Sequence, residues 1–205
     1  MSAVATEVLA VDAVSPEAEA LARAAAVLRA GGLVAFPTET FYGLGAAAGD
    51  AAAVRRIFRV KGRDEAKPLL VLVDSIAMAE AVAEVSARAR ALMTRHWPGA
   101  LTLVLSARAA LPRELTAGTG TIGVRLSPHP VARGLVHALG AALTAPSANL
   151  EGAPPPTTAA EVLGVFGGAI DLVLDGGATA GGPPSTVVDV TSDALRVLRE
   201  GAVAL

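Results

Sequence analysis

Only two lysines occur in the 205 residues, Lys61 and Lys67, and both fall in the stretch KGRDEAKPL at 61–69. With Arg63 between them, the stretch offers two compact point charges and one planar guanidinium fork, a set that suits a polyphosphate. On its own it reads more readily as a solvated basic turn, partly neutralised by Asp64 and Glu65. The sole asparagine, Asn149, stands in Ser147-Ala148-Asn149, just after an apolar run and Ala145-Pro146. A hydroxyl and an amide at a strand end could meet a substrate where open α/β sheets bind one; they could equally form a turn or a helix cap. Thr38 and Thr40 flank a bend after another buried run and carry the same two readings. Arg125 differs, because it ends the apolar stretch TIGVR at 121–125, and a charge there requires a partner or a ligand. Ser185 to Asp189 and Arg199-Glu200-Gly201 complete the polar candidates.

Other chemistries find little support. The chain has no cysteine, so disulfides, zinc thiolates and thiol catalysis are excluded. His96, His129 and His137 lie far apart without metal-ligand spacing, and no metal site is expected. Gly118 to Gly123 fits GxGxxG, yet a strand follows where a dinucleotide fingerprint needs a helix. The P-loop, HExxH and GxSxG patterns are missing. A net charge of −2 argues against a general nucleic-acid coat, so an anionic partner must be held locally. Hydrophobic residues make up 53% of the chain, but no apolar run reaches the roughly 18 residues of a membrane span. Met1 to Asp12 lacks the basic start and apolar core of a signal peptide. A cytoplasmic protein without membrane contact is expected.

The elements that hold these residues follow from periodicity and punctuation. Ser15-Pro16-Glu17 predicts a helix capped by Ser15, running through Leu21, Ala25 and Leu28 and stopping near Gly31-Gly32. Leu33 to Phe36 is a buried strand ended by Pro37, followed by a loop over 38–45. Asp50 caps a helix with Val54, Ile57 and Phe58 on one face and Arg55, Arg56 and Arg59 on the other, ending at Gly62. Strands are predicted over 69–73, 101–105, 121–126, 141–145, 170–174 and 185–190, and helices over 76–84, 86–96 and 129–139. Thr158 to Glu161 is a capping-box sequence, and 195–198 should pair with 185–190 across the turn at 191–194. The order predicts one α/β domain over 1–205, a twisted sheet of mixed parallel and antiparallel strands covered by helices. The Gly/Pro-rich stretch 176–184 is either a mobile loop over a site or a plain surface loop.

Taken together, the motifs PTETFYGLG (37–45), KGRDEAKPL (61–69), WPGALTLVL (97–105) and TIGVR (121–125) resemble the YrdC-like family, the threonylcarbamoyl-AMP synthases. The likeness continues through APSANLEGAPPPTT (145–158), STVVD (185–189) and LREGA (198–202), in order along almost the whole chain. It implies a twisted mixed sheet with helices on both faces and a deep concave cleft. It also implies that Thr40, Arg125, Ser147 and Ser185 hold threonine, and that Lys61, Arg63, Lys67, Thr121, Asn149, Thr157 and Arg199 surround ATP. Lys61, Arg63, Ser147 and Asn149 form the set typical of the catalytic branch. Two positions depart from the pattern: Lys67 stands where relatives often carry asparagine, and Leu72 where many long-form members carry a histidine near threonine. Ending at Leu205, the chain is expected to lack the long form's further C-terminal domain.

The chemistry so implied joins threonine and bicarbonate as a carbamate, whose oxygen attacks the α-phosphorus of ATP and expels pyrophosphate. Magnesium would arrive on the phosphates with few protein ligands. The product would pass to a separate tRNA threonylcarbamoyl transferase complex, and direct contact with tRNA or double-stranded RNA is a further expectation. Two rivals stand beside this reading: a non-catalytic RNA-binding paralogue, and the carbamoyl chemistry of the related hydrogenase-maturation domain. The first is countered by the full catalytic set, the second by missing zinc-finger and acylphosphatase segments.

Overall fold

The computed structural model describes residues 5–192 and 194–205. In chain order its first half holds β1 (Glu7–Ala10), α1 (Ala18–Arg29), β2 (Val34–Pro37), β3 (Tyr42–Gly45), α2 (Ala51–Lys61), β4 (Leu70–Leu72), α3 (Ile76–Val82) and α4 (Ala87–His96). The second half holds β5 (Leu101–Ser106), α5 (Arg113–Thr116), β6 (Thr121–Arg125), α6 (Pro130–Leu139), β7 (Leu143–Thr144), α7 (Ala159–Phe166), β8 (Leu172–Asp175), β9 (Thr186–Asp189) and β10 (Arg196–Arg199).

The strands form two sheets where one was expected. One has the order β1-β8-β2-β3 and the other β10-β9-β5-β6-β4-β7, each mixing parallel and antiparallel pairs. The seam between them runs along 42–48 and 142–148. There Ala48, Thr144, Leu44 and Ala148 donate their N–H groups to Ala142, Ala46, Pro146 and Tyr42 at 2.8–3.0 Å. The ladder is irregular because the Thr144 hydroxyl takes the Ala46 N–H at 2.8 Å, and because Pro146 has no N–H to offer. Thr144 is fully buried in this seam.

Alternation along the strands divides the core into two layers. Val34, Phe36, Leu172 and Leu174 pack against α1 and α6, while Ala35 and Val173 face the opposite layer with α2 and α7. Helices therefore cover both faces, as the family resemblance implied. Asp50 caps α2, accepting from Ala52 and Ala53, and left-handed Gly62 (φ 59°) ends it. The capping box of Thr158 and Glu161 is complete.

Several local expectations need correction. Ser15 does not cap α1; Glu17 occupies that position without a side-chain bond, and the Asp12 carboxylate instead accepts from Val14 and Ser15 in the preceding turn. Part of the presumed loop 38–45 is strand β3, whose glycines hid it. A Cβ on Gly45 would stand 2.9 Å from Leu143 and 3.0 Å from Phe36, so this strand can lie in the seam only with glycine there. Strand β1 and the single turn α5 were not foreseen. Strand β10 pairs antiparallel with β9 as expected; Asp193 of the intervening turn lies outside the described residues.

Candidate active site

Strand ends and the segments beside them converge on two cavities with common walls. The larger, about 410 Å³, is lined by Arg63, Thr121, Ser147 and Arg199 among the foreseen residues, and by Thr102. Its apolar wall comprises Pro68, Leu69, Leu70, Val104, Val187 and Leu198. The smaller, about 80 Å³, is lined by Thr40, Arg125, Ser147, Ser185 and Arg199, with Thr38 and Phe41. Leu70, Ser147 and Arg199 line both, so these residues mark the junction.

The sequence places each group by a local device. Left-handed Gly62 turns the chain so that Arg63 leaves α2 toward the larger cavity. One guanidinium N–H of Arg63 meets the Pro68 carbonyl at 3.2 Å, and its buried Nε has no partner in the protein. Burial pushes this guanidinium below its ordinary pKa, against the opposing charges of Glu151 and Asp64. Arg125 ends β6 and is 4% exposed. It pairs with Glu39, whose other carboxylate oxygen accepts from the Ser127 hydroxyl. Burial depresses Arg125 too, and its Nε is likewise unpartnered.

Arg199 ends β10 and clamps the segment entering β9. Its Nε and Nη2 donate to the Ser185 carbonyl at 3.1 and 2.8 Å, and Nη2 also meets the Ser185 hydroxyl at 3.0 Å. That hydroxyl lies 3.0 Å from the Thr102 hydroxyl. Burial, then the neighbouring Arg125 charge, pushes Arg199 below its ordinary value. Both cavities therefore present cations whose charge the protein leaves partly unanswered, a setting that favours anions. The Thr38 hydroxyl, donating to Phe41 O at 2.7 Å, fixes the bend that brings Thr40 to the smaller cavity.

Four foreseen residues line neither cavity. Lys61 is 3% exposed and turns its ammonium to the carbonyls of Ser147 and Asn149. Asn149 spends its amide on its own loop, with Nδ2 donating to Leu150 O at 2.8 Å and Ala153 O at 2.7 Å. Lys67 is exposed and paired with Glu151. Thr157 is tied to Glu161, its N–H donating at 2.7 Å. Leu72, at the departure noted above, is buried in the α1/α6 layer and lines neither cavity.

Two site residues escaped the sequence reading. Thr102 had a signal of the same kind as Arg125, a polar residue within an apolar strand. Glu39, between Thr38 and Thr40, becomes recognisable only once Arg125 is beside it. The stretch 176–184 is docked over this region. Gly181 N–H donates to Thr40 O and Thr179 N–H to Thr157 O, both at 2.8 Å. The Tyr42 phenol donates to Gly177 O at 2.8 Å; burial and then the Asp175 charge push its pKa up to about 12, so it remains a donor. Among the described residues no group of three or more His, Cys, Asp or Glu could hold a metal ion. No helix there is long and apolar enough to cross a membrane.

Comparison with known proteins places this geometry. Residues 26–201 match the Sua5_yciO_yrdC family model, which bears the description telomere recombination. Over 183 residues the chain is 45% identical to a threonylcarbamoyl-AMP synthase of Pyrococcus abyssi, covering 89% of this chain and 54% of that protein. It is 42% identical over 194 residues to the Bacillus subtilis threonylcarbamoyl-AMP synthase, covering 94% and 56%. The crystal structure of P. abyssi Sua5 complexed with L-threonine superposes with a TM-score of 0.92 at 43% identity, covering 96% of this chain and 58% of that one. The chain thus spans little more than half the length of each of these proteins. Matched over most of its length in sequence and fold, the chain belongs to the Sua5/YciO/YrdC family.

Proposed function

We propose that this protein makes threonylcarbamoyl-AMP and pyrophosphate from ATP, L-threonine and bicarbonate. The observation that carries the reading is the pair of adjoining cavities, each lined by cations and sharing Leu70, Ser147 and Arg199. The smaller has the groups for an amino acid: Arg125 for the carboxylate, and the Thr40 and Ser185 hydroxyls for the remaining polar atoms. The larger has an apolar wall for a purine, with Arg63 and Arg199 for the phosphates and Thr121 on its lining. Magnesium enters as part of the MgATP substrate.

In this mechanism the threonine nitrogen attacks the carbon of bicarbonate, and loss of water leaves a carbamate. A carbamate oxygen then attacks the α-phosphorus while the bond to the β-phosphate oxygen breaks and pyrophosphate leaves. No side chain is acylated or phosphorylated. The protein contributes orientation across the junction and preorganised positive charge toward the charge that develops on the phosphates. The docked stretch 176–184 covers the amino-acid side and limits water, which would return the carbamate to threonine and bicarbonate. The product then serves a separate transferase that modifies tRNA.

Incubation with labelled bicarbonate, L-threonine and MgATP, followed by rapid chromatography, tests the proposal. Label should appear in a nucleotide whose mass equals threonylcarbamoyl-AMP. Label that stays in bicarbonate at all times, with natively folded protein, would mean a non-catalytic member of the family.

A further inference from the structure

Lys61 occupies a place that phosphate binding does not explain. It is the last residue of α2, is 3% exposed, and lines neither cavity. An ammonium has three donors and no acceptor. Two of these meet carbonyls of one short segment: Ser147 O at 2.6 Å and Asn149 O. The Lys61 backbone grips the same segment, its carbonyl accepting from the Glu151 N–H at 3.1 Å. Glu151 returns the contact by accepting from the Asp64 N–H at 3.2 Å and pairing with Lys67. Segments 86 positions apart are thus held together by contacts that radiate from the end of α2.

We propose that Lys61 is a positioning residue that fixes the 147–149 segment from behind, setting the Ser147 hydroxyl at the junction of the two cavities, and that it does not itself meet the triphosphate. Fixing the Ser147 and Asn149 carbonyls fixes the directions of the side chains between and beside them. The Ser147 hydroxyl then donates to Asn149 Oδ1, and the Asn149 amide closes the loop on Leu150 and Ala153. The ammonium is protonated at neutral pH: burial, then the Arg63 charge, lowers its pKa to about 8, with Glu151 opposing. Lys67 and Asp64, also on the adjoining loop, face Glu151.

A functional signature follows. Each cavity keeps cations without Lys61, namely Arg63 in the larger, Arg125 in the smaller and Arg199 on the lining of both. Loss of the ammonium should leave the affinity for each substrate while the junction between them loosens, so kcat falls and KM for ATP holds. A phosphate ligand would show the reverse in ATP affinity.

The inference rests on the synthase reading for its turnover readout alone. Lys61→Met keeps length and removes charge. Because the chain has no cysteine, Lys61→Cys alkylated with 2-bromoethylamine in denaturant and then refolded restores an ammonium at this one site. Amide hydrogen exchange across 147–153 in ligand-free protein should speed up about tenfold or more in Lys61→Met and return toward wild type in the alkylated form. Turnover should follow the same order, with KM for ATP within about twofold. The less basic amine of the alkylated form should also shift the alkaline limb of its kcat profile to lower pH. Wild-type exchange in Lys61→Met, together with a raised KM for ATP, would overturn the proposal. Should Lys61→Met fail to fold, exchange in the wild type decides. Corrected for intrinsic chemistry, protection of 147–153 should rise as pH climbs from about 8 toward 10.5, because opening the segment frees Lys61 to take up a proton, and constant protection there refutes the role. If the wild type shows no turnover, the synthase reading fails while the exchange result still stands.

Discussion

Replacing Glu39 by glutamine removes the charge paired with Arg125 while keeping the shape of both its contacts. The side chains of Arg125 and Glu39 are 5% and 15% exposed, so water screens the pair little. Removing one member of a buried pair costs about 3–5 kcal/mol. Glutamine can still accept from Arg125, and the Ser127 hydroxyl can turn from donor to acceptor, which puts the loss near the lower figure. A loss of about 3 kcal/mol lowers the melting temperature of a protein this size by roughly 6–12 °C. The variant then has an unanswered guanidinium on the wall of the smaller cavity. The carboxylate of L-threonine can supply the missing charge, so the amino acid should raise the melting temperature of Glu39→Gln more than that of the wild type. The assay is thermal unfolding followed by circular dichroism, with both proteins at equal threonine concentrations. Equal melting temperatures without ligand would refute the buried pair. An equal or smaller threonine shift in the variant would refute the assignment of Arg125 to the carboxylate.

Further outcomes follow from the same geometry. Arg63→Ala should lower kcat/KM by at least about 2 kcal/mol, or roughly 30-fold, with native circular dichroism; turnover within twofold of wild type would remove Arg63 from the phosphate site. The folded-state pKa of Lys61 is lowered from 10.5 to about 8, so the unfolded chain binds more protons between those values. That group's stabilisation is present above about pH 10.5 and is lost as pH falls through about 8. The unfolding free energy of wild type minus Lys61→Met should therefore be flat below pH 8 and rise by up to about 3 kcal/mol toward pH 10.5; a flat difference throughout contradicts the buried ammonium. Hydrogen exchange over 176–187 should slow when threonine and a non-hydrolysable ATP analogue bind, because ligands add to a loop already tied at Thr40 and Thr157. Unchanged exchange at saturation would mean that the loop is not a cover.

The legible parts of the fold were those whose signals are local. Asp50, Gly62 and the Thr158–Glu161 box announce helix ends through bonds within a few residues, and all three formed. Strand β3 was hidden because Tyr42-Gly43-Leu44-Gly45 has too little apolar alternation, and its glycines answer a crowding set by Leu143, almost a hundred positions away. The division into two sheets depends on the Thr144 hydroxyl displacing a ladder bond, which no local pattern encodes. Arg125 was legible as a site residue because a charge in an apolar strand is costly wherever the chain folds. Lys61 and Asn149 were legible as unusual, yet composition could not tell a side chain that faces a cavity from one that holds a cavity wall. Glu39 could be given a role only after folding brought Arg125 and Ser127 to it.

The central claim is that threonine and ATP occupy adjoining cavities and react across the junction at Ser147. Pyrophosphate release by the purified protein with MgATP and bicarbonate measures it most directly. Release should require L-threonine, and valine, which lacks the hydroxyl that the smaller cavity can pair, should support it at least about 100-fold less well. Release that proceeds without threonine, or at equal rates with valine, would contradict the account.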